Sequence, residues 1–139
     1  MIERTLRLSV GVDRAWRAWT EKIDLWWPPG HRRFQGSTLT LEGHVGGRLV
    51  ERASGGEEFT MGRVTGWEPS ARLTYDFYPG AGPETPTAVE VCFDASEDGS
   101  VVRVRHRRGQ LSEARWGSTN AKFQASWEAL FASFSALVQ

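Results

Sequence analysis

The feature that most constrains this chain is a change of period near Ser118. Before it, from Thr38 to His106, apolar residues recur mostly at every second position. After it, Phe123, Trp127, Leu130, Phe131, Phe134, Leu137 and Val138 recur every three to four residues and fall on one helical stripe. Ala121, Ala125, Ala129, Ala132 and Ala136 favour helix strongly. The spacing predicts one long amphipathic helix at the C-terminus, starting near Ser112, with a weak point at Gly117. A chain with one such helix and many short strands has few ways to bury both.

The strands are read from alternation and turn signals. "IERTLRLSV" puts Ile2, Leu6, Leu8 and Val10 on one face, with Arg4 as the exception. Gly11 interrupts the strand, and Asp13 is the expected N-cap of a helix after it. "RAWRAWTEKIDLW" has helical spacing and reads as one or two short helices that stop before Pro28, because a residue preceding proline is pushed out of the helical region. Of the adjacent tryptophans, Trp26 continues the apolar face of Trp16, Trp19 and Ile23, and Trp27 is expected at a cavity rim. Then come "TLTLEG", "RLVERA", the hairpin turn "SGGEE", "FTMGRVTGWEP", "ARLTYDFY", a Gly/Pro-rich loop over 79–86, "TAVEVCFDA" and "VVRVRH". Connections this short require antiparallel neighbours. The expectation is an α+β fold over residues 1–139 as one domain: a curved antiparallel sheet of six to seven strands around the C-terminal helix, with two short helices after the first strand. A curved sheet around one helix leaves space between them, which is either filled or a pocket.

Charge excludes more than it suggests. Lys plus Arg and Asp plus Glu are both 17, so no overall field favours nucleic acid or anionic membranes. "RVRHRRG" looks basic, but Arg103 and Arg105 alternate with Val102 and Val104 and belong to a solvent face, within reach of Glu90. The N-terminus lacks the apolar core of a signal peptide, and no stretch reaches the roughly 20 apolar residues of a membrane span. The single Cys92 permits no intramolecular disulfide, which fits a cytoplasmic location. It alternates out of phase with Val91 and Phe93, so it is expected to face away from the interior. His31, His44 and His106 lie too far apart for paired metal ligands. No cofactor motif is present; the Gly pairs are turn glycines without a phosphate-loop lysine.

Seven motifs in register resemble the family named after activators of the heat-shock-protein-90 ATPase, within the START / birch-pollen-allergen helix-grip superfamily. They are "VGVDRAWRAWT" (10–20), Trp26-Trp27-Pro28, "GGR" (46–48), "GRVTGWEP" (62–69) with "RLTY" (72–75), "TAVEVCF" (87–93), "VRVRH" (102–106) and "SWEAL" (126–130). The resemblance implies the helix-grip fold. Superfamily relatives carry lipids, hormones or polyketides, or act as aromatases and cyclases. The co-chaperone relatives carry an additional N-terminal domain for which this chain has no room.

The expected function is therefore binding of a small hydrophobic or amphipathic molecule between helix and sheet. The alternatives are an aromatase/cyclase-type enzyme and a chaperone-accessory or other protein-interaction module. Candidate cavity residues are Trp27, Leu41, Glu51, Arg63, Tyr75, Phe77, Val91, Val104, His106, Phe123, Trp127 and Phe131. His106 follows Val102 and Val104 on an inward face; it either orients a ligand or acts as acid or base, or is hydrogen-bonded for structure to backbone or a carboxylate. Glu51 and Arg63 form a polar patch if inward; a surface salt bridge is the other expectation for them. An enzyme needs at least two polar groups to converge, with His106, Tyr75 and Glu51 as candidates. A homodimer through an exposed strand or helix face is left open, and no residue argues for a chaperone partner.

Overall fold

A computed structural model of the chain describes residues 1–79 and 83–139. The tip of the expected 79–86 loop, residues 80–82, lies outside the described residues. The elements follow the order read from the sequence: β1 (Ile2–Leu8), α1 (Val12–Glu21), α2 (Ile23–Trp26), a 3-10 turn (Pro29–His31), β2 (Thr38–Leu41), β3 (Arg48–Arg52), β4 (Glu58–Glu68), β5 (Arg72–Phe77), β6 (Thr87–Ser96), β7 (Gly99–Arg107) and α3 (Glu113–Val138). The strands form one sheet in the order β1-β7-β6-β5-β4-β3-β2, antiparallel throughout. Register shifts at Leu49/Val50 and Val64/Gly66 mark bulges, which bend strands and raise local twist. The sheet is curled, with α3 in its concavity: an α+β helix-grip arrangement.

Local chemistry explains the boundaries. The N-cap of α1 is Gly11 rather than the expected Asp13, because Val12 is already helical and Gly11 O accepts from Ala15 N. Asp13 instead sits in the first turn, where a carboxylate suits the positive end of the helix. α2 ends at Trp26; Trp27 takes an extended ψ of 117° ahead of Pro28. Ser112 caps α3, its hydroxyl accepting from Arg115 N at 3.2 Å. α3 continues through Gly117 without interruption. Arg4, the charged residue on the inner face of β1, reaches the edge of α3 and donates to Gln124 at 3.4 Å.

The inward residues of the central strands form rows. Tyr75, Val89 and His106 are in register across β5, β6 and β7; Leu73, Val91 and Val104 form the next row, and Phe93 and Val102 the one after. Aromatic side chains from the short helices fill the concavity over the last two rows. Trp16 packs edge-on against Trp67 and Phe93 at 5.0 and 5.3 Å. Trp19 lies 4.6 Å from Trp26 and 5.0 Å from Phe134. Trp26 is buried and donates its indole N–H to Ala18 O at 3.0 Å. On the outer face, Arg72, Glu90, Arg105 and Glu3 form an ion-pair ladder across four strands, at 2.7, 3.6 and 2.9 Å in turn. Arg103 lies 4.0 Å from Asp94. Arg103 and Arg105 of the basic-looking segment are thus engaged along the sheet exterior. No helix among the described residues is long and apolar enough to cross a membrane.

Candidate functional site

The aromatic filling stops short of the Tyr75–Val89–His106 row. A cavity of about 340 Å³ opens there, between the sheet and the middle of α3. Its walls come from β4 (Phe59, Met61), β5 (Tyr75, Phe77), β6 and β7 (Val89, His106) and α3 (Phe123, Trp127, Leu130). Trp27 closes the end facing the short helices, and Gly30, His31, Arg33 and Lys122 stand at the mouth. A largely apolar concavity with a few polar groups, at the small end of the usual ligand-site range of about 300–1,000 Å³, is what small molecules use.

His106 is the most completely specified polar residue in the wall. An indole N–H can only donate, so Trp127 Nε1, 3.0 Å from His106 Nδ1, requires that nitrogen to be unprotonated. The proton of the neutral ring is then on Nε2, which donates to Thr87 Oγ1 at 2.8 Å. Thr87 in turn donates to Phe77 O at 3.2 Å. A one-way chain runs from α3 through β7 and β6 to β5. Burial, aided by the nearby N-terminal amine, lowers the imidazole pKa to about 4. His106 therefore holds the helix to the sheet in its neutral form. Its bonds go to side chains rather than to the backbone or carboxylate partner expected. Both nitrogens are committed, so the ring presents an aromatic face, not a free acid or base, to the cavity.

Tyr75 is buried, lines the cavity and has no hydrogen-bond partner for its hydroxyl among the described residues. Burial pushes its pKa far above the ordinary tyrosine value, so the hydroxyl is a neutral donor and acceptor.

The mouth is built by the segment between α2 and β2, which has little regular structure and is held by two carboxylates. Asp24 Oδ1 accepts from Arg32 at 2.7 Å and from Leu39 N at 2.8 Å. The same Arg32 guanidinium donates to the carbonyls of Asp24, Trp27 and Ser37 at 2.7–3.1 Å. Glu51, fully buried on β3, accepts from Arg33 N, Phe34 N and Ser37 Oγ at 2.8, 2.7 and 2.8 Å. Charge-assisted bonds to three donors make an isolated buried carboxylate tolerable. Trp27 donates its indole N–H to His31 O at 3.1 Å. The Arg33 guanidinium lies 4.6 Å over the Phe59 ring.

The model of the family described as Activator of Hsp90 ATPase homolog 1-like protein matches residues 9–139. The chain belongs to this family. Among solved structures, a protein from Nitrosomonas europaea is similar at a TM-score of 0.71 and 15% identity, covering 99% of this chain and 92% of the other. One from Rhodobacter sphaeroides is similar at 0.71 and 18%, covering 97% and 89%. The Aha1 dimer from Colwellia psychrerythraea is similar at 0.70 and 17%, covering 99% and 94%. At these identities the likeness shows the fold alone. Comparison with the curated proteins finds no match.

Against this family fold, the candidate residues fall into two groups. Trp27, Tyr75, Phe77, His106, Phe123 and Trp127 line the cavity together. Leu41, Val91, Val104 and Phe131 are inward but do not line it: Val91 and Val104 belong to the filled row, Leu41 lies on β2 and Phe131 packs on Trp19 and Trp127. Glu51 is neither in the cavity nor in a surface salt bridge; its carboxylate is consumed by the mouth segment behind the wall. Arg63 is exposed and donates to Gly46 O at 2.7 Å, so no polar patch with Glu51 forms. The expected trio of His106, Tyr75 and Glu51 does not converge. Cys92 is half-buried on the outer face beside Glu90, and burial first, then that carboxylate, raises its thiol pKa. Sequence reasoning missed Gly30, His31, Arg32, Arg33, Phe59, Met61, Tyr78, Pro79, Val89, Lys122, Ser126 and Leu130. Of these, Phe59 and Met61 carried a signal by alternating in phase along β4, Val89 by alternating with Val91 and Phe93, and Leu130 by its place on the helical stripe.

Proposed function

We propose that this family member binds a small apolar or amphipathic molecule in the cavity between α3 and the sheet. One observation carries the reading: a cavity of about 340 Å³ walled by Trp27, Phe59, Phe77, Phe123 and Trp127, lined also by Tyr75, whose hydroxyl has no partner among the described residues. At about 30 Å³ per water, the space equals about eleven waters, set against walls that offer them few hydrogen bonds. A ligand with an aromatic or branched body recovers that contact area, and a single oxygen placed against Tyr75 satisfies its hydroxyl. The expected location is cytoplasmic, and the expected activity is carriage or sensing, since the wall histidine has no free nitrogen for proton transfer.

Titration with a panel of lipids, flavonoids and polyketides, followed by native mass spectrometry and tryptophan fluorescence, tests this. Trp27 and Trp127 should report occupancy. Binding should weaken at least about tenfold when Val89→Trp fills the space. A panel with no binder, or binding untouched by that substitution, refutes the reading.

The family description supports a second reading, an accessory to the Hsp90 ATPase. It predicts that added protein changes the ATPase rate of the host Hsp90 through an exposed surface, in Val89→Trp as in the wild type. The Colwellia relative is a dimer, so self-association belongs to this second reading, and analytical ultracentrifugation checks it.

A further inference from the structure

The cavity mouth has a charge bias that the whole chain lacks. The chain balances 17 basic against 17 acidic residues. Yet the described residues lining the cavity include Arg32, Arg33 and Lys122 and no acid. Arg32 is neutralised by Asp24 at 2.7 Å. Arg33 and Lys122 are in no ion pair among the described residues. They come from different elements, the mouth segment and α3, and both line this opening. His31 lines the same opening, and its Nδ1 is buried without a hydrogen-bond partner among the described residues. The Lys122 charge is close enough to add to the burial that lowers the His31 pKa.

We propose that the ligand is an amphipathic carboxylic acid, its carboxylate seated at the mouth between Lys122, Arg33 and His31 and its apolar body lying against Phe59, Phe77 and Trp127. This rests on the binding role of the cavity argued above. A carboxylate fits better than a phosphate for two reasons. Phosphate sites add backbone N–H groups to their side-chain cations. Here the N–H groups of Arg33 and Phe34 are already spent on Glu51. The two oxygens of a carboxylate can also accept charge-assisted bonds from the lysine and the arginine, one cation to each oxygen.

Three probes with one two-ring body separate the terms: 2-naphthylacetate, its neutral alcohol 2-(2-naphthyl)ethanol, and the cationic 2-(2-naphthyl)ethylamine. Calorimetric titration of the whole chain should give the acid an affinity about tenfold or more above the alcohol, and the amine the weakest. In the double variant Lys122→Gln, Arg33→Gln, both exposed positions, the acid should fall to the level of the alcohol, whose own Kd should stay within about twofold. Equal affinity for acid and alcohol in the wild type overturns the proposal while leaving the cavity's binding role standing. An acid preference that survives the double variant does the same. Failure of all three probes to bind overturns both.

Discussion

Acid should loosen this fold through one buried imidazole. His106 is buried with its Nδ1 facing an indole N–H, so a proton added there sets donor against donor. Its pKa falls from an ordinary 6.5 to about 4. At about 1.4 kcal/mol per unit, the neutral, bonded ring contributes about 3 kcal/mol, a large share of the roughly 5–15 kcal/mol that stabilises a domain of this size. The sign follows from where the proton goes first. The unfolded chain binds it near pH 6.5 and the folded chain only near 4, so stability falls as pH drops through that window. The contribution is complete above about pH 6.5 and absent below about 4. Urea unfolding followed by tryptophan fluorescence, in half-unit steps from pH 7.5 to 4, should be run on the wild type and on His106→Gln. His31, Glu42, Glu58 and Glu90, whose pKa values are also lowered, titrate in both chains and drop out of the difference. The wild type should lose about 3 kcal/mol more than the variant across the window. Curves that run parallel within about 1 kcal/mol would refute the assignment. So would nitrogen chemical shifts at pH 6 that place the proton on Nδ1.

Trp127→Phe removes the donor to Nδ1 while keeping an aromatic wall; it should raise the His106 pKa in an NMR titration and cost about 1–3 kcal/mol in chemical denaturation. Glu51→Gln leaves three donors of the mouth segment short of their carboxylate; a loss of about 3 kcal/mol is expected, with weaker binding of any cavity probe, and unchanged binding would show that the anchor does not shape the mouth. Cys92, its thiol pKa raised chiefly by burial, should react slowly with a disulfide reagent at pH 8 in the folded chain and fast in urea; equal rates would place it in an open, unperturbed setting.

Parity was more legible in the sequence than depth. Alternation separates inward from outward residues on β5, β6 and β7, and for that reason Tyr75, His106, Val91 and Val104 all read as inward. It carries no information on which row stays open. That is decided by how far Trp16, Trp19 and Trp26 reach across the concavity, a matter of the packing of α1 and α2 on the sheet. So Val91 and Val104 lie under filled space and Val89 under open space, although all share one face. The mouth is harder still. His31 and Arg33 sit in a segment without period, and Lys122 lies off the apolar stripe of α3; that all three line one opening is a tertiary event. Glu51 stands out as a charge in a strand, but its partners are mostly backbone N–H groups, which nearly every residue has and no sequence distinguishes. Trp27 is legible because Pro28 breaks the helix and takes it out of the face that Trp26 occupies.

The double anchoring of the mouth segment also bears on how such a protein can change. Asp24, Arg32 and Glu51 hold the segment mostly through its main chain, and the two carboxylates do so from positions that do not line the cavity. The side chains at positions 31 and 33 take no part in that grip: His31 gives it a carbonyl and Arg33 an N–H. They behave as interchangeable fittings on a fixed bracket. Exchanging them alters what the opening selects without asking the sheet or α3 to repack, so new preferences can be sampled here at little risk to folding.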